Sequence, residues 1–483
     1  MAQQRMLTFV SVDQQTPEKR EPDDRRGDFH EIYADFIAAK ANEQSSRCSQ
    51  CGVPFCQTHC PLQNNIPDWL MLTATGRLQE AYEVSSATSN MPEICGRICP
   101  QDRLCEGACV IEQSGHGSVT IGAVERYITD TAWERGWVQP IAPSRERAES
   151  IGIIGAGPAG LSAADELRAA GYRVTVYDRY DRAGGLLIYG IPNFKLEKDI
   201  VERRVKRLAD GGVTFVLNTD IGKDISFADL RAKHDAILVA TGVYAAREMA
   251  TPGNDAKGVH KALDYLIAAN RVGLGETVPD FASGKLDAAK KNVVVIGGGD
   301  TAMDCVRTAI RQGAKSVTCL YRRDRANMPG SQREVANAEE EGMKFDWLAA
   351  PNAVAEKKGG GAKGVRAARM RLGPPDASGR QAPEEVPGSD YEVKADMVIK
   401  ALGFDPEDLP SHFAETALSV NRWGGVKVDY HSMMTTMEGV FAAGDIVRGA
   451  SLVVWAIKEG RDAAASIDLY LKARAASARI AAE

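Results

Sequence analysis

The chain has 483 residues, of which 44% are hydrophobic and 26% charged, and its formal net charge is −6. This composition is typical of a soluble globular protein with roughly two to four domains, and the negative charge argues against nucleic-acid binding. No apolar run reaches the roughly 18 residues of a membrane span. Residues 1–26 are polar and lack the apolar core of a signal peptide, so we expect a cytoplasmic protein without membrane contact.

The first 46 residues are predicted to form a tail followed by one helix. The apolar residues of this segment recur at helical spacing, which indicates one packed face. They are Phe29, Ile32, Tyr33, Phe36 and Ile37.

Cysteine is unusually dense near the N-terminus, where eight of the ten cysteines lie between positions 48 and 109. A reducing compartment disfavours disulfides, so a dense block of this kind points to metal. The cysteines form two runs, and residues 66–87 between these runs are expected to be helical. Pro140 and Pro143 mark a linker after the second run. The two runs are Cys48-x2-Cys51-x4-Cys56-x3-Cys60-Pro61 and Cys95-x3-Cys99-Pro100 with Cys105-x3-Cys109.

Eight thiolates are the ligand requirement of two four-cysteine clusters. The first run resembles the bacterial ferredoxin layout, in which the cysteine before proline serves the other cluster. We therefore predict two 4Fe–4S clusters with exchanged ligands. Cluster I takes Cys48, Cys51, Cys56 and Cys109, and cluster II takes Cys60, Cys95, Cys99 and Cys105. Two structural zinc sites are the alternative, although zinc prefers paired C-x2-C units and only one is present. Cys305 and Cys319 are expected to be small buried side chains.

Residues 151–178 carry a dinucleotide-binding fingerprint, IGIIGAGPAGLSAADELRAAGYRVTVYD. A strand leads into G-x-G-x-x-G, a helix follows, and a second strand ends at an acid. Gly155 allows the tight turn, Gly157 the approach of a pyrophosphate, and Gly160 close packing of helix on strand. Pro158 and Ala159 lie at the helix N-terminus, which favours the phosphate charge. Asp178 is expected to accept a hydrogen bond from a ribose hydroxyl.

Two later segments are candidates for the same site. Gly184-Gly185-Leu186 permits a close approach of backbone to a flat ligand, although an ordinary loop is an alternative. The strand at 235–239 is followed by Ala240-Thr241-Gly242. Open α/β sheets bind ligands at such strand ends.

A second fingerprint starts with the strand 292–296. Gly297, Gly299 and Ala302 fit the G-x-G-x-x-A variant, and Asp300 and Thr301 open its helix. The next strand, 317–321, ends in Arg322-Arg323 where an NAD site would have an acid. Arginines at this point accommodate a 2′-phosphate, so the inferred nucleotide is NADPH. A solvated charge pair is the alternative.

The remaining strands, 396–402 and 439–443, have no fingerprint of their own. We expect them to return to the first sheet, with the second nucleotide domain inserted. Gly444-Asp445 places a second acid at a strand end, and a helix is expected to begin near Ala450-Ser451. Glu339-Glu340-Glu341 is expected to be a solvated face, with Gly342 as the helix C-cap.

At this point the motifs resemble a known family. Two glycine fingerprints, the Ala240-Thr241-Gly242 strand end and Gly444-Asp445 are similar to two-dinucleotide flavoprotein reductases. The eight cysteines together with four further motifs resemble the small (β) subunits of bacterial NADPH-dependent glutamate synthase, from about Asp28 to the end. The N-terminal part of dihydropyrimidine dehydrogenase has the same layout. The further motifs are residues 190–196 (GIPNFKL), 321–324 (YRRD), 327–331 (NMPGS) and 450–457 (ASLVVWAI).

The resemblance implies an α/β fold with two Rossmann-like dinucleotide-binding domains after a mainly α-helical two-cluster domain. Residues 1–146 would form the iron–sulfur domain, 147–250 with 411–483 the FAD domain, and 251–410 the NADPH domain. FAD would lie on the first fingerprint with Asp178 and Asp445. Electrons would pass through the clusters to a large, FMN-containing α subunit in a hetero-oligomer. That partner converts L-glutamine and 2-oxoglutarate into two L-glutamates.

No catalytic side chain is predicted, because hydride transfer requires positioning and exclusion of water, not a general base. The helix near Ala450 could direct N–H groups at the flavin's pyrimidine edge. The sequence starts Met1-Ala2-Gln3, so it offers no N-terminal cysteine as an amidotransferase nucleophile. Two alternatives stay open: electron input to another acceptor, such as pyrimidine reduction, and a redox sensor or scaffold without turnover.

Overall fold

The structure is a computed structural model that describes residues 6–377 and 379–482, with the side chains of 478–482 left out. Across these ranges no helix combines the length and the apolar character needed to span a membrane.

Helices and strands alternate along most of the chain after residue 150. The helices are α1 (Pro22–Gly27), α2 (Ala38–Ser46), α3 (Phe55–Thr58), α4 (Ile66–Ala74), α5 (Leu78–Ser86), α6 (Pro92–Ile98), α7 (Val110–Gln113), α8 (Ile121–Glu134), α9 (Pro158–Ala169), α10 (Leu186–Tyr189), α11 (Lys198–Asp210), α12 (Phe227–Lys233), α13 (Ala262–Gly273), α14 (Pro279–Ala282), α15 (Asp300–Arg311), α16 (Gln332–Glu340), α17 (Leu409–His412), α18 (Asp445–Arg448) and α19 (Val453–Ala482). The strands are β1 (Ser150–Ile154), β2 (Arg173–Tyr177), β3 (Thr214–Val216), β4 (Ala236–Val239), β5 (Ala245–Ala246), β6 (Val259–Lys261), β7 (Asn292–Ile296), β8 (Ser316–Tyr321), β9 (Lys344–Trp347), β10 (Ala349–Glu356), β11 (Ala362–Pro375), β12 (Gln381–Glu385), β13 (Tyr391–Lys394), β14 (Met397–Lys400), β15 (Phe404–Asp405) and β16 (Val440–Ala442).

The N-terminal part is helical, as predicted, and packs around the buried Trp69, Leu70 and Ile128. The predicted helix across Phe29–Ile37 is wrong. This segment is extended and pairs with the chain just before it: the Arg20 N–H donates to Ile32 O and the Ala34 N–H to Glu18 O, both at 2.9 Å. Ile32 and Phe36 are nevertheless buried, so their expected packing role is right.

Two parallel sheets follow, each with its own core. The first sheet has the strand order β16-β4-β1-β2-β3, and the second β6-β14-β7-β8-β9. Because β16 pairs in parallel with β4, the chain returns to the first sheet after the second is complete, as predicted for residues 439–443. The same prediction is wrong for residues 396–402, because β14 pairs in parallel with β6 and β7 inside the second sheet. The residue boundaries assigned to the three domains stay a prediction. Strands β10–β13 form an additional antiparallel sheet, which the sequence analysis did not predict.

The C-terminal helix α19 packs on the fingerprint helix α9 with very little space between them. A Cβ on Gly460 of α19 would lie 2.2 Å from Ala159 O. Glycine is therefore required where the two helices cross. This crossing places α19 against the start of α9, next to the first glycine turn.

The expectation that Glu339-Glu340-Glu341 forms a solvated face is wrong for Glu341. Its carboxylate is fully buried and accepts hydrogen bonds from Arg307 and Arg311 at 2.6–3.1 Å. Glu340, one residue earlier, pairs with Lys19 and Arg25 of the N-terminal segment at 2.8 Å. These pairs bind the N-terminal segment to helices α15 and α16. Burial raises the pKa of Glu341, whereas the contacts with the two arginines lower it. The net shift of the pKa is downward.

Glu341→Ala should strongly destabilise the second nucleotide domain. The change leaves two buried guanidinium groups without their common counter-ion, which costs about 3–5 kcal/mol. Glu339→Ala removes only an exposed pair with Arg325 and should cost about 0–1 kcal/mol. Urea unfolding followed by far-UV circular dichroism measures both. Equal losses in the two variants would contradict this assignment.

Candidate cofactor sites

The first glycine turn lies between β1 and α9. Gly155 has φ +108°, and a Cβ there would lie 2.3 Å from Ala240 O at the end of β4. A Cβ on Gly160 would lie 2.0 Å from Gly155 O, so helix and turn pack too closely for a side chain. A Cβ on Gly157 would meet no described atom within 4 Å. The turn therefore has free space at Gly157, beside Pro158 and Ala159 at the start of α9, where a pyrophosphate would fit.

Asp178 follows β2 and binds the turn itself. Its carboxylate accepts hydrogen bonds from the backbone N–H of Ala156 at 2.7 Å and of Tyr180 at 2.9 Å. Burial raises the pKa of Asp178, and these two N–H donors oppose the shift. Each carboxylate oxygen retains a further lone pair, so contact with a ribose remains a prediction beside this bracing role.

A cavity of about 230 Å³ opens next to Gly155 and Asp178. The Thr241 hydroxyl is buried there and has no hydrogen-bond partner among the described residues. Arg179 lies 4.8 Å over the Tyr244 ring and 5.6 Å over the Tyr180 ring, and pairs with Glu407 at 3.0 Å. An unpaired donor beside two aromatic rings suits the adenosine part of a dinucleotide. The sequence analysis included Thr241 but not the other four residues, because no fingerprint position carries Arg179, Tyr180, Tyr244 or Glu407.

The candidate segment Gly184-Gly185-Leu186 meets the first glycine turn at Gly185. Gly185 has φ +55°, and a Cβ there would lie 2.8 Å from Gly157 Cα. Leu186 begins α10, and Gly242 has φ +70° at the end of β4. The backbones of the two loops are therefore in close contact, so Gly185 and Leu186 border the first glycine turn.

Gly444 and Asp445 follow β16, and a Cβ on Gly444 would lie 3.0 Å from the Ala159 Cβ at the start of α9. The Gly444 N–H donates to the buried carboxylate of Glu459 at 2.9 Å. Burial raises the pKa of Asp445 to about 7, although the Ser451 backbone N–H opposes the shift. Helix α19 begins at Val453, so Ala450 and Ser451 lie before it rather than at its start as predicted. Glu459 was not predicted, since it is one of three acids on a long helix and belongs to no recognised motif.

The second glycine turn lies between β7 and α15. A Cβ on Gly297 would lie 2.2 Å from Ala401 O, whereas a Cβ on Gly299 would meet no described atom within 4 Å. Asp300 and Thr301 begin α15. Asp300 accepts a hydrogen bond from the Ser331 N–H at 3.0 Å, and the Gly330 N–H donates to Gly298 O at 3.0 Å. The segment 328–331 therefore lies directly on this turn.

Arg322 and Arg323 follow β8 beside the second turn. Arg322 is exposed, and the Nε of the half-buried Arg323 has no partner among the described residues. Burial raises the pKa of Tyr321, and the charges of Arg323, Arg322 and Arg380 oppose that shift. Arg380, from the turn between β11 and β12, is therefore a third cation at this strand end. The sequence missed it because 58 positions separate it from Arg322.

The cysteines predicted for cluster I lie around one small cavity. Cys48, Cys51, Cys56 and Cys109 line a space of about 20 Å³ together with Pro67, Leu70 and Ile121. Burial raises the pKa of Cys48 to about 11 and of Cys56 to about 12.

The cysteines predicted for cluster II also lie together. A hydrogen bond with Cys95 is the largest cause that raises the pKa of Cys99, and the charge of Cys105 adds to it. Cys60 interacts electrostatically with Cys95, and Cys105 with Cys60. Burial raises the pKa of Cys60 to about 11. Thiols this resistant to ionisation become ligands only where a positively charged centre stabilises the thiolates.

A site for a single metal ion requires a different arrangement of ligands from that of an iron–sulfur cluster. Within residues 6–377 and 379–482, no three His, Cys, Asp or Glu side chains are placed to hold one metal ion. Four thiolates on one zinc ion share a centre at about 2.3 Å, whereas a cluster spreads them around several iron atoms.

The two cysteine groups differ in their surroundings. Cys60, Cys95 and Cys99 pack against the core of the first nucleotide domain, with Met91 and Ile94. Cys48 and Cys109 belong to the separate core of the helical domain. The large apolar side chains Val53, Phe55 and Val110, which neighbour the cluster I cysteines in sequence, are exposed by 62%, 44% and 38%. Cys60 and Cys105 also pack against the core of the helical domain. The cysteines predicted for cluster II thus lie where the two cores meet, and those predicted for cluster I lie beside exposed apolar side chains.

Comparison with known proteins identifies both parts of the chain. Residues 25–137 match the family model for dihydropyrimidine dehydrogenase domain II, 4Fe-4S cluster. Residues 149–460 match that for pyridine nucleotide-disulphide oxidoreductases. The chain is 65% identical over its full length to the full-length glutamate synthase (NADPH) small chain of Azospirillum brasilense. The chain belongs to this small-chain family.

Other relatives agree with that assignment. The Escherichia coli small chain is 44% identical, with 97% of this chain and 99% of that one covered. The putative oxidoreductase AegA of Escherichia coli is 46% identical over 96% of this chain and 71% of its own length. FprA of Mycobacterium tuberculosis has the same fold over 69% of this chain and 86% of its own, with a TM-score of 0.58 at 20% identity. The chain is thus an NADPH-dependent flavoprotein oxidoreductase with an iron–sulfur domain.

Removing Arg322 and Arg323 together, as R322A/R323A, should weaken NADPH much more than NADH. Each charge-assisted contact with a 2′-phosphate contributes about 1.5–3 kcal/mol, so the KM for NADPH should rise by at least about tenfold. NADH, which lacks this phosphate, should be nearly unaffected. Steady-state reduction of a dye measures both constants.

Arg325→Ala is the matched control, because Arg325 pairs with Glu339 on the surface of the same domain. It should leave both constants unchanged. An equal loss for NADPH and NADH in R322A/R323A would show that the arginines have a structural role only.

Proposed function

We propose that the chain is the NADPH-oxidising electron-input subunit of a glutamate synthase in the cytoplasm. FAD, when bound, accepts a hydride from NADPH and delivers single electrons, the conversion that a one-electron cluster requires. The eight cysteines would hold two 4Fe–4S clusters, which would supply the one-electron route out of the chain to an FMN-containing large α subunit. That partner makes two L-glutamates from L-glutamine and 2-oxoglutarate.

The observation that carries the proposal is the arrangement of the cysteine groups. The predicted cluster II ligands Cys60, Cys95 and Cys99 pack on the core of the FAD domain. The predicted cluster I ligands Cys48, Cys56 and Cys109 pack on the core of the helical domain, which Cys60 and Cys105 also contact. Cys105 and Cys56, which belong to different groups, interact electrostatically. This supports the order FAD, cluster II, cluster I for electrons leaving the chain.

The chain's own residues would position the cofactors. Gly157 and the start of α9 would hold the FAD pyrophosphate, and Thr241, Tyr180 and Tyr244 its adenosine. Asp445, next to Gly444 at the end of β16, would be the second acid of this site. Gly299, the start of α15, Arg322 and Arg323 would hold NADPH.

The exit surface is proposed beside cluster I. Val53 and Phe55 lie between the ligands Cys51 and Cys56 in sequence, and Val110 follows the ligand Cys109. Exposed apolar side chains at a site of electron exit suit contact with the large subunit. In this reading cluster I is the cluster that contacts the partner.

The number of clusters can be tested by analysis of the purified chain. Eight cysteine ligands predict two 4Fe–4S clusters, so anaerobic preparations should contain about eight iron and eight sulfide per chain. Cys51→Ser and Cys99→Ser should each lose about half of the iron. Zinc without sulfide would contradict the proposal.

The division of labour can be tested by recombining the two subunits. The isolated chain should reduce a dye with NADPH and make no glutamate, and added large subunit should restore glutamate formation. Val53→Asp should weaken this coupling and leave dye reduction unchanged. Leu469→Asp, an equally exposed apolar position on α19 (68%), is the matched control.

Two results would contradict the proposal. Glutamate formation by the isolated chain would place the synthase chemistry here. Dye reduction without any coupling to the large subunit would favour electron input to another acceptor.

A further inference from the structure

The ligand loop of cluster II binds the NADPH domain through Arg103. This residue lies between the ligands Cys99 and Cys105. Its guanidinium donates to three consecutive carbonyls of the other domain: Met328 O at 3.0 Å, Gly330 O at 2.8 Å, and Pro329 O. An arginine can make these contacts because its planar group has several donors in fixed directions.

A second connection runs parallel to the first through Gln101. The buried Gln101 amide donates to the carbonyls of Cys95 and Gly96, both at 3.1 Å, and accepts a hydrogen bond from Arg333 at 3.0 Å. Arg333 also pairs with the buried Glu106 at 3.0 Å. Both sides of the ligand loop are therefore tied to the segment 328–333.

That segment also binds the nucleotide turn. Gly330 donates to Gly298 O, and the Ser331 N–H to Asp300, both at 3.0 Å. A Cβ on Gly330 would lie 3.1 Å from Gly298 O, so the contact is close. The path from the ligand loop to the turn therefore consists of one arginine and one short segment of backbone.

We propose that Arg103 is a positioning residue that couples the NADPH site to cluster II. It supports the turn that binds the nucleotide, and the nucleotide in turn fixes the loop that carries Cys99 and Cys105. The idea depends on the proposed function, which assigns NADPH and cluster II to these two places. Coupling between two sites is reciprocal, so each ligand state must alter the other site by the same factor.

The charges give the coupling a direction. An additional electron at cluster II attracts the guanidinium group of Arg103, and this attraction competes with its hydrogen bonds to the carbonyls of residues 328–330 in the NADPH domain. NADP⁺ should therefore bind more weakly when cluster II is reduced. By reciprocity, bound NADP⁺ should lower the midpoint potential of cluster II.

The test uses the full chain with FAD and clusters bound. Iron, sulfide, FAD content and NADPH–dye reduction of the wild type are measured first, because failure there concerns the proposed function alone. Calorimetric titration then gives the Kd for NADP⁺, and redox titration followed by electron paramagnetic resonance gives the cluster potentials with and without NADP⁺. The variants are R103A, R103K and R135A.

We expect R103A to keep its iron and to raise the Kd for NADP⁺ by about fivefold or more, the lower range of site-to-site coupling. R103K should lie between the wild type and R103A, because an ammonium cannot span three carbonyls. R135A removes an exposed arginine of the same domain and should match the wild type. NADP⁺ should lower the cluster II potential in the wild type and should not do so in R103A.

Either of two results overturns the proposal: a Kd in R103A equal to that of the wild type, or a wild-type cluster II potential that NADP⁺ leaves unchanged. If R103A loses iron, R103K and the wild-type potential decide the question.

Discussion

The arrangement of the cofactors depends on one buried ion pair between the helical domain and the FAD domain. The carboxylate of Glu93 accepts hydrogen bonds from Arg204 Nε at 2.7 Å and Nη2 at 2.8 Å, and the two side chains are 0% and 5% exposed. Glu93 lies on α6 two residues before the ligand Cys95, and Arg204 lies on α11. A bidentate pair has one good geometry, and breaking it in the interior costs about 3–5 kcal/mol. The pair therefore fixes the helix that carries Cys95, a predicted cluster II ligand, against the flavoprotein core.

Buried charges hold the NADPH domain in the same way. Lys195, from the motif at 190–196, reaches Asp304 of α15 at 3.0 Å and Glu334 of α16 at 3.5 Å. Arg307 and Arg311 stack on Phe194 at 4.4 and 4.0 Å, beside their pairs with Glu341. Each of these contacts joins the FAD domain to the NADPH domain. These buried charged contacts thus set the relative position of the two nucleotide sites. Apolar packing alone is less directional and would fix that position less well.

Sequence patterns that involve residues close together in the chain predicted the fold well. The glycine turns, the strands around them and the return of β16 to the first sheet follow from local spacing, because a turn with no room for Cβ admits only glycine. Interactions between distant parts of the chain were not predictable. Phe29–Ile37 has helical spacing but pairs with residues 18–20, and Glu341 resembles a surface acid although two arginines from another helix bury it. Arg380, Tyr244 and Arg103 carry no motif, and only the folded chain brings them to the cofactor sites.

The most direct test of the account is the order of electron transfer inside the chain. Cys51→Ser and Cys99→Ser are mixed anaerobically with NADPH, and flavin absorbance and cluster paramagnetic resonance are followed by rapid freezing. The flavin should be reduced in both, which checks the nucleotide sites. In Cys51→Ser the remaining cluster II should be reduced at the wild-type rate, whereas in Cys99→Ser cluster I should stay oxidised on that time scale. Rapid reduction of cluster I without cluster II would contradict the relay.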